Sequence, residues 1–226
     1  MTPAAAESLR GAAAHVLIDE VGTPVLDDAA GHHVFRVLRV RDGEVVTVTD
    51  GAGSWRVCRA SGGLIEPDGE PQYEAASASP LTIAVTIPKQ DRPEWVVQKL
   101  TELGVDRVVM LHAERSVVRW EADRAQKHVA KLQRVAREAL QQSRRVWLPA
   151  IEGPVEAIDL LPLAVAAEPG GRELVAADRF IAIGPEGGWS AAELEAASGR
   201  VSLGRHVLRV ETAALAAAAR ASEHSA

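Results

Sequence analysis

The rhythm of hydrophobic and polar positions changes near residue 80. Before it, short apolar runs lie between closely spaced turn signals. His15–Ile18 reads as a strand, and Asp27-Asp28 can cap a helix running to about Arg39. Glu44–Thr49 and Ser54–Ala60 read as strands joined by a hairpin loop, Asp50-Gly51-Ala52-Gly53. Asp42-Gly43, Gly62-Gly63 and Pro67-Asp68-Gly69 are further turns. This pattern predicts a small β-barrel over residues 1–75. Its first 14 residues are Ala-rich, poorly patterned and expected to fray. In the Asp27–Arg39 helix, Ala30, Val34, Val37 and Leu38 fall on one apolar face. His32, Arg36 and Arg39 fall on another, which taken alone is a solvated face.

After a linker at Ala75–Pro80, strands and helices alternate, which predicts an α/β layer fold with parallel strands over residues 80–226. Leu81–Ile87 is a strand. Pro93 fits the first turn of a helix with Val96, Leu100 and Leu103 inward; Gly104 ends it, and Lys99–Glu102 form a surface pair. Arg107–His112 is the next strand. A long helix, Asp123–Gln142, turns Val129, Leu132, Ala136 and Ala139 inward and Lys127, Lys131 and Arg134 elsewhere. Leu148–Ile151 is a strand. Residues 155–177 carry no readable period, apart from a surface loop at Glu168-Pro169-Gly170-Gly171.

The chain is organised around Ile181–Ser190. Phe180–Ile183 reads as a buried strand that stops at Gly184-Pro185, and Ser190-Ala191-Ala192-Glu193 is a capping box opening a helix. Between them lie Glu186 and three glycines, which let the backbone approach a ligand or reach positive φ. A plain Gly-rich connection reads the same way. The spacing fits neither a Walker loop nor a dinucleotide fingerprint. A second strand-then-glycine stretch follows, Val201-Ser202-Leu203-Gly204, then Arg205–Thr212 and the Ala-rich run Ala213–Ala221, for which Thr212 suits an N-cap. Two such loops so close in sequence suggest one site built from both.

A 47% apolar share among 226 residues supports a normal core. The formal charge of −6 argues against a generally sticky nucleic-acid binder, yet Glu114–Arg145 carries nine Lys or Arg against four Asp or Glu. Phosphate contact or a solvated helix each explains that bias. One cysteine, Cys58, allows no internal disulfide, reads as a small buried side chain and fits a reducing cytoplasm. No signal peptide, membrane-spanning run or zinc-like histidine spacing is expected. His112, at a strand end, could line a site or simply pack.

Ile183-Gly184-Pro185-Glu186-Gly187-Gly188 and Leu203-Gly204-x-x-Val207-Leu208-Arg209-x-Glu211-Thr212 resemble the cofactor loops of SPOUT RNA methyltransferases. Within that class the chain is similar to the RsmE family, which methylates N3 of a uridine in 16S ribosomal RNA. His32–Arg39, Gln98–Val105 and Glu114-Arg115-Ser116 resemble the same family, in its order. The resemblance implies a PUA-like RNA-binding barrel, a SPOUT domain with a C-terminal trefoil knot, and a cytoplasmic homodimer. Its ligands would be S-adenosyl-L-methionine and 16S RNA, the latter within the small ribosomal subunit; neither a metal nor a membrane is implied. A ribose 2′-O-methyltransferase on this fold, or an RNA-binding protein without catalysis, are the alternatives. The chain departs from the family at Gln141, where Glu is frequent, at Arg144, where Gly is common, and at Ala213, where Thr is frequent.

The resemblance places the cofactor against Leu111, His112, Gly184, Pro185, Glu186, Gly187, Leu203, Gly204, Val207, Leu208 and Thr212. Glycine loops offer backbone groups to adenine, apolar side chains can sandwich it, and Glu186 suits a cationic ligand or ribose hydroxyls. Arg36, Arg39, Arg115, Arg144 and Arg145 are the RNA-binding candidates. Uridine N3 carries a proton, so the enzyme must stabilise an imide anion or remove the proton. Arg209 suits the first task. Glu211 is a candidate base or an orienting partner of Arg209; the two point the same way if this segment is extended.

Overall fold

The computed structural model describes residues 3–223. The chain divides into two compact units, one holding residues up to Ser77 together with Leu140–Leu148, the other holding Ala78–Ala139 and the chain from Pro149 onward.

The first unit opens with α1 (Pro3–Gly11), where fraying was expected. Alanine favours helix, and Ala5 and Leu9 bury their side chains in a cluster with Trp55 and Val146, which holds the helix in place. β1 (Ala14–Leu17) follows. α2 (Asp28–His32) starts at Asp27, whose carboxylate accepts from the Ala30 amide at 2.7 Å. The helix then widens into a π turn, His33–Val37, closed by Leu38 N–H to the His33 carbonyl at 2.9 Å. The wider turn breaks the helical period. Val34 is fully buried, but Val37 and Leu38 are 57% and 47% exposed, so the expected apolar face does not extend to them. β2 (Val45–Thr49), β3 (Ser54–Ser61), β4 (Leu64–Pro67) and β5 (Gln72–Tyr73) complete a five-stranded sheet. β1 pairs β2 in parallel; β2, β4 and β5 each pair β3 antiparallel. Cys58 is buried in this unit, and burial pushes its thiol up to about 11.

Leu140–Leu148 belongs to this first unit, not to the domain from residue 80 onward as expected. Specific polar contacts explain why. The Leu17 amide donates to Gln141 Oε1 at 3.2 Å, and the Leu148 amide donates to the Gly51 carbonyl at 2.8 Å. Trp147 Nε1 donates to the Glu74 carbonyl at 2.9 Å, and its ring lies so near Gly53 that a Cβ there would fall 2.6 Å away. His15 Nε2 lies 2.9 Å from the Arg145 carbonyl, which can only accept, so Nε2 carries the hydrogen and Nδ1, 2.8 Å from Thr47 Oγ1, is the acceptor. Burial lowers the His15 pKa to about 4, so the ring is neutral near pH 7.

The second unit comprises β6 (Thr82–Thr86), α3 (Arg92–Glu102), β7 (Arg107–His112), α4 (Ala122–Ser143, whose last residues enter the first unit), β8 (Ala150–Glu156), α5 (Ala157–Leu160), β9 (Val165–Glu173), β10 (Phe180–Ile183), α6 (Ala191–Ala196), β11 (Gly199–Ser202) and α7 (Val210–Glu223). Its sheet runs β11-β9-β10-β6-β7-β8 with every pair parallel. Lys99 and Glu102 pair at 2.8 Å, and α4 buries Leu132, Ala136 and Ala139 as its spacing predicts, while Val129 is only half-buried. β9 lies in the unreadable stretch. Only its first residues, Val165 and Ala166, are buried, and the register with β11 jumps from Ala166 to Arg172, which leaves Glu168–Gly171 looped out. α7 packs on α3, β6 and β10, with Ala214, Ala217, Ala218 and Ala221 buried. Small side chains permit that close approach. Among the described residues no helix is long and apolar enough to cross a membrane.

Candidate functional site

In a parallel sheet all carboxyl ends share one edge, where the connecting loops can build a site. β9, β10 and β11 end together in this way. The loops after β10 and β11 and the looped-out part of β9 surround a cavity of about 440 Å³, within the usual range for a small-molecule site. Gly184, Pro185, Glu186, Gly187, Leu203, Gly204, Val207, Leu208 and Arg209 line it, as do Ala167, Glu168, Pro169, Trp189 and His206. The sequence therefore indicated both glycine loops but missed the wall from β9, whose residues carry no periodic signal.

The β10 loop is held in shape by its neighbours. Ser190 and Glu193 form the capping box in full, and Glu193 is 3% exposed. The second function of Glu193 was not legible: its Oε1 also accepts from the Glu114 amide at 2.8 Å. Trp189 is anchored by Nε1–H donating to the Ala167 carbonyl at 3.1 Å. Its ring fills the space beside Gly184, where a Cβ would land 2.8 Å from it. Gly188, not Gly187, is the left-handed residue of this loop (φ +70°), and Gly204 (φ +146°) is its counterpart after β11. The cavity wall is thus bare backbone at both glycine loops, which is what close approach of a flat heterocycle requires.

Four site expectations change in three dimensions. Leu111 and His112 do not line the cavity, because β6 separates their strand from β10 and Leu111 is spent in the core with Val109 and Trp189. His112 packs: Nε2 accepts from the Trp120 amide at 3.0 Å, and burial followed by the Arg119 charge lowers its pKa. Thr212 neither lines the cavity nor caps α7. The helix has already begun at Val210, and the Arg209 carbonyl accepts from the Ala213 amide at 2.8 Å. Glu211 consequently lies on a helical turn instead of extended chain, and its partner is Arg92, with Nη1–Oε1 at 3.0 Å, not Arg209. Arg209 is exposed at the cavity, and its guanidinium has no partner among the described residues.

The RNA candidates divide. Arg36 and Arg39 are exposed beside the π turn, Arg39 with φ +59°. Arg115 acts instead as a clamp on the cofactor-like loop, its Nη1 donating to the Gly187 and Trp189 carbonyls at 3.2 Å each. Arg144 takes φ +62°, the conformation that suits the glycine common at this place, and donates to the Ala12 carbonyl at 2.9 Å. Arg145 is half-buried, with both backbone polar groups bonded. Arg144 therefore serves the first unit's packing. Seven cations of the basic stretch are exposed: Arg115 and Arg119 before α4, and Arg124, Lys127, Lys131, Arg134 and Arg137 on it, with Lys131 paired to Glu94. Among the described residues no group of three or more His, Cys, Asp or Glu is placed to hold a metal ion.

Comparison with known proteins agrees with this geometry. Residues 75–222 match the family model of an RNA methyltransferase domain, and residues 26–60 match an RNA methyltransferase PUA domain. The chain is 32% identical to ribosomal RNA small subunit methyltransferase E of Synechocystis sp., over 84% of this chain and 70% of that protein. It is 29% identical to the protein of that name from Mycobacterium bovis, over 89% of this chain and 86% of that one. Among solved structures it resembles that of ribosomal RNA small subunit methyltransferase E from Neisseria gonorrhoeae bound to S-adenosyl methionine, with a TM-score of 0.74 and 28% identity over 92% of this chain and 95% of the other. It also resembles a probable rRNA-methyltransferase from Porphyromonas gingivalis, with a TM-score of 0.76 and 29% identity over 93% and 97% of the two chains. With the loops, the two matched domains and these relatives all in agreement, the chain belongs to the RsmE family of RNA methyltransferases.

Proposed function

We propose that this protein is an S-adenosyl-L-methionine-dependent methyltransferase that acts on N3 of a uridine in 16S ribosomal RNA of the small subunit. The observation that carries the reading is the exposed Arg209, without a side-chain partner among the described residues, at the rim of a cavity walled by two glycine loops. Gly184–Gly187, Leu203, Gly204, Val207 and Leu208 would hold the cofactor. Val207, an apolar side chain 91% exposed, suits a cover for one adenine face. Glu168 and Glu186 set two carboxylates on the cavity wall, suited to ribose hydroxyls or positive charge. When bound, S-adenosylmethionine supplies an electrophilic methyl group. Arg209 holds the negative charge that develops on the uracil ring, a task for a guanidinium because it remains protonated.

In the same reading the first unit is a PUA-like barrel presenting Arg36 and Arg39 to RNA. The C-terminal segment is knotted, a topology that α7's small buried face accommodates. The enzyme works as a cytoplasmic homodimer. Mass spectrometry of 16S RNA nucleosides from cells with and without this gene tests the reading. Loss of 3-methyluridine is expected; loss of a 2′-O-methyl nucleoside instead would move the reaction to ribose.

A further inference from the structure

Glu211 is 9% exposed and in the first turn of α7. Its neighbours Arg209, Val210 and Ala213 line the cavity. One carboxylate oxygen, Oε1, is fixed by Arg92 Nη1 at 3.0 Å. The other, Oε2, is buried and has no hydrogen-bond partner among the described residues. A carboxylate at a helix start is favoured by the helix dipole, which accounts for an acid at this position but not for an oxygen withheld from every donor. Arg92 reaches Glu211 through the topology. It is the first residue of α3, which follows β6, and β6 is the parallel neighbour of β10. The chain leaving β6 therefore starts from the sheet edge where the β10 loop builds the cavity.

Resting on the proposed function, we infer that Glu211 is the proton acceptor through Oε2 and that Arg92 is the positioning residue that holds it for the task. The donor suited to Oε2 is the substrate's own N3–H. The N–H bond breaks, its proton passes to Oε2, and its electron pair stays on N3 under the charge of Arg209. That pair forms the new N3–carbon bond to the donor's methyl group. The carbon–sulfur bond breaks with its electrons on sulfur, which becomes a neutral thioether, and the carboxylic acid then returns its proton to solvent. Glu211 is thereby divided from Arg209: one accepts the proton and the other stabilises the anion.

The test is a mutant cycle on the full-length protein, reading single-turnover methyl transfer to 16S RNA at saturating RNA and cofactor, with cofactor affinity by calorimetry and thermal unfolding alongside. Glu211→Gln is expected to slow transfer about 10²- to 10⁴-fold, the usual contribution of a general base. Arg92→Ala is expected to slow it at least about tenfold, Arg92→Lys to recover part of that loss, and the double variant Arg92→Ala with Glu211→Gln to be no slower than Glu211→Gln alone. Cofactor affinity and RNA KM should stay within about threefold of wild type. Losses that multiply in the double variant, a raised RNA KM with intact turnover in Arg92→Ala, or full speed in Glu211→Gln would each overturn the inference. If Arg92→Ala fails to fold, the same cycle run with Arg92→Lys decides. A wild-type product methylated on ribose would remove the base-methylation reading and the N3–H step with it, whereas a 3-methyluridine product with losses that multiply would overturn the inference alone. No methyl transfer by wild type would remove both.

Discussion

Gly184→Ala tests how the cavity wall is built. A Cβ at residue 184 would lie 2.8 Å from Trp189 Cε2 and 2.9 Å from Nε1. Ordinary contacts between carbons begin at about 3.5 Å, so the indole must move by roughly 0.7 Å or more. It cannot move freely, being 4% exposed and tied to the Ala167 carbonyl at 3.1 Å. Overpacking of this kind costs about 1–3 kcal/mol, and losing the indole hydrogen bond adds about 1 kcal/mol. The total, about 2–4 kcal/mol, should lower the unfolding temperature by roughly 5–10 °C at this chain length. If the bound state must restore the loop, about 2 kcal/mol of that loss reappears as a roughly 30-fold weaker S-adenosylmethionine affinity. Gly188→Ala is the control. It has φ +70° but nothing within 4 Å of its added carbon, so it carries only the left-handed penalty of about 1–2 kcal/mol. Calorimetric titration and thermal melts on both variants decide. Affinity within threefold of wild type and an unchanged melt for Gly184→Ala would refute the buttress role of Trp189. Equal damage from Gly188→Ala would show that backbone conformation, not the indole, controls the wall.

Stability should depend on pH through His15. Its folded pKa of about 4 lies below the unfolded value near 6.5, so the unfolded chain binds a proton first; stability is complete above pH 6.5 and is lost as pH falls to about 4, by about 3 kcal/mol. Urea unfolding across that window checks this, and His15→Gln should flatten it. Arg209→Ala should cut turnover about 10²- to 10³-fold while leaving cofactor affinity nearly unchanged, as measured by single-turnover rates and calorimetry. Arg36→Ala with Arg39→Ala should weaken RNA binding and reduce its log–log salt slope by about 1–2 in filter binding, whereas Arg144→Ala should leave that slope unchanged and lower the first unit's stability by about 1 kcal/mol.

Local chemistry was legible where it acts over a few residues. β10 and β7 have the bounds their apolar runs predict, the Ser190–Glu193 capping box is complete, and Pro93 sits in the first turn of α3. Both glycine loops could be read because glycine leaves a mark in the sequence wherever backbone must come close. What distance in sequence conceals was decided by the tertiary structure. α1 looked featureless until Leu9 found Trp55 and Val146. β9 has no period because only its first residues are covered, and its looped-out carboxylate becomes a wall of the cavity. Arg115, Arg144 and Arg145 look alike in a list of cations, yet carbonyls 72 residues away for Arg115 and 132 for Arg144 give those two guanidinium groups structural tasks. Arg92 carries no motif of its own in this reading and gains meaning only because parallel strands bring the ends of β6 and β10 to one edge, where a charge pair forms between residues far apart in the chain. A pattern of neighbours can specify an element; which charged groups face each other depends on how the elements pack.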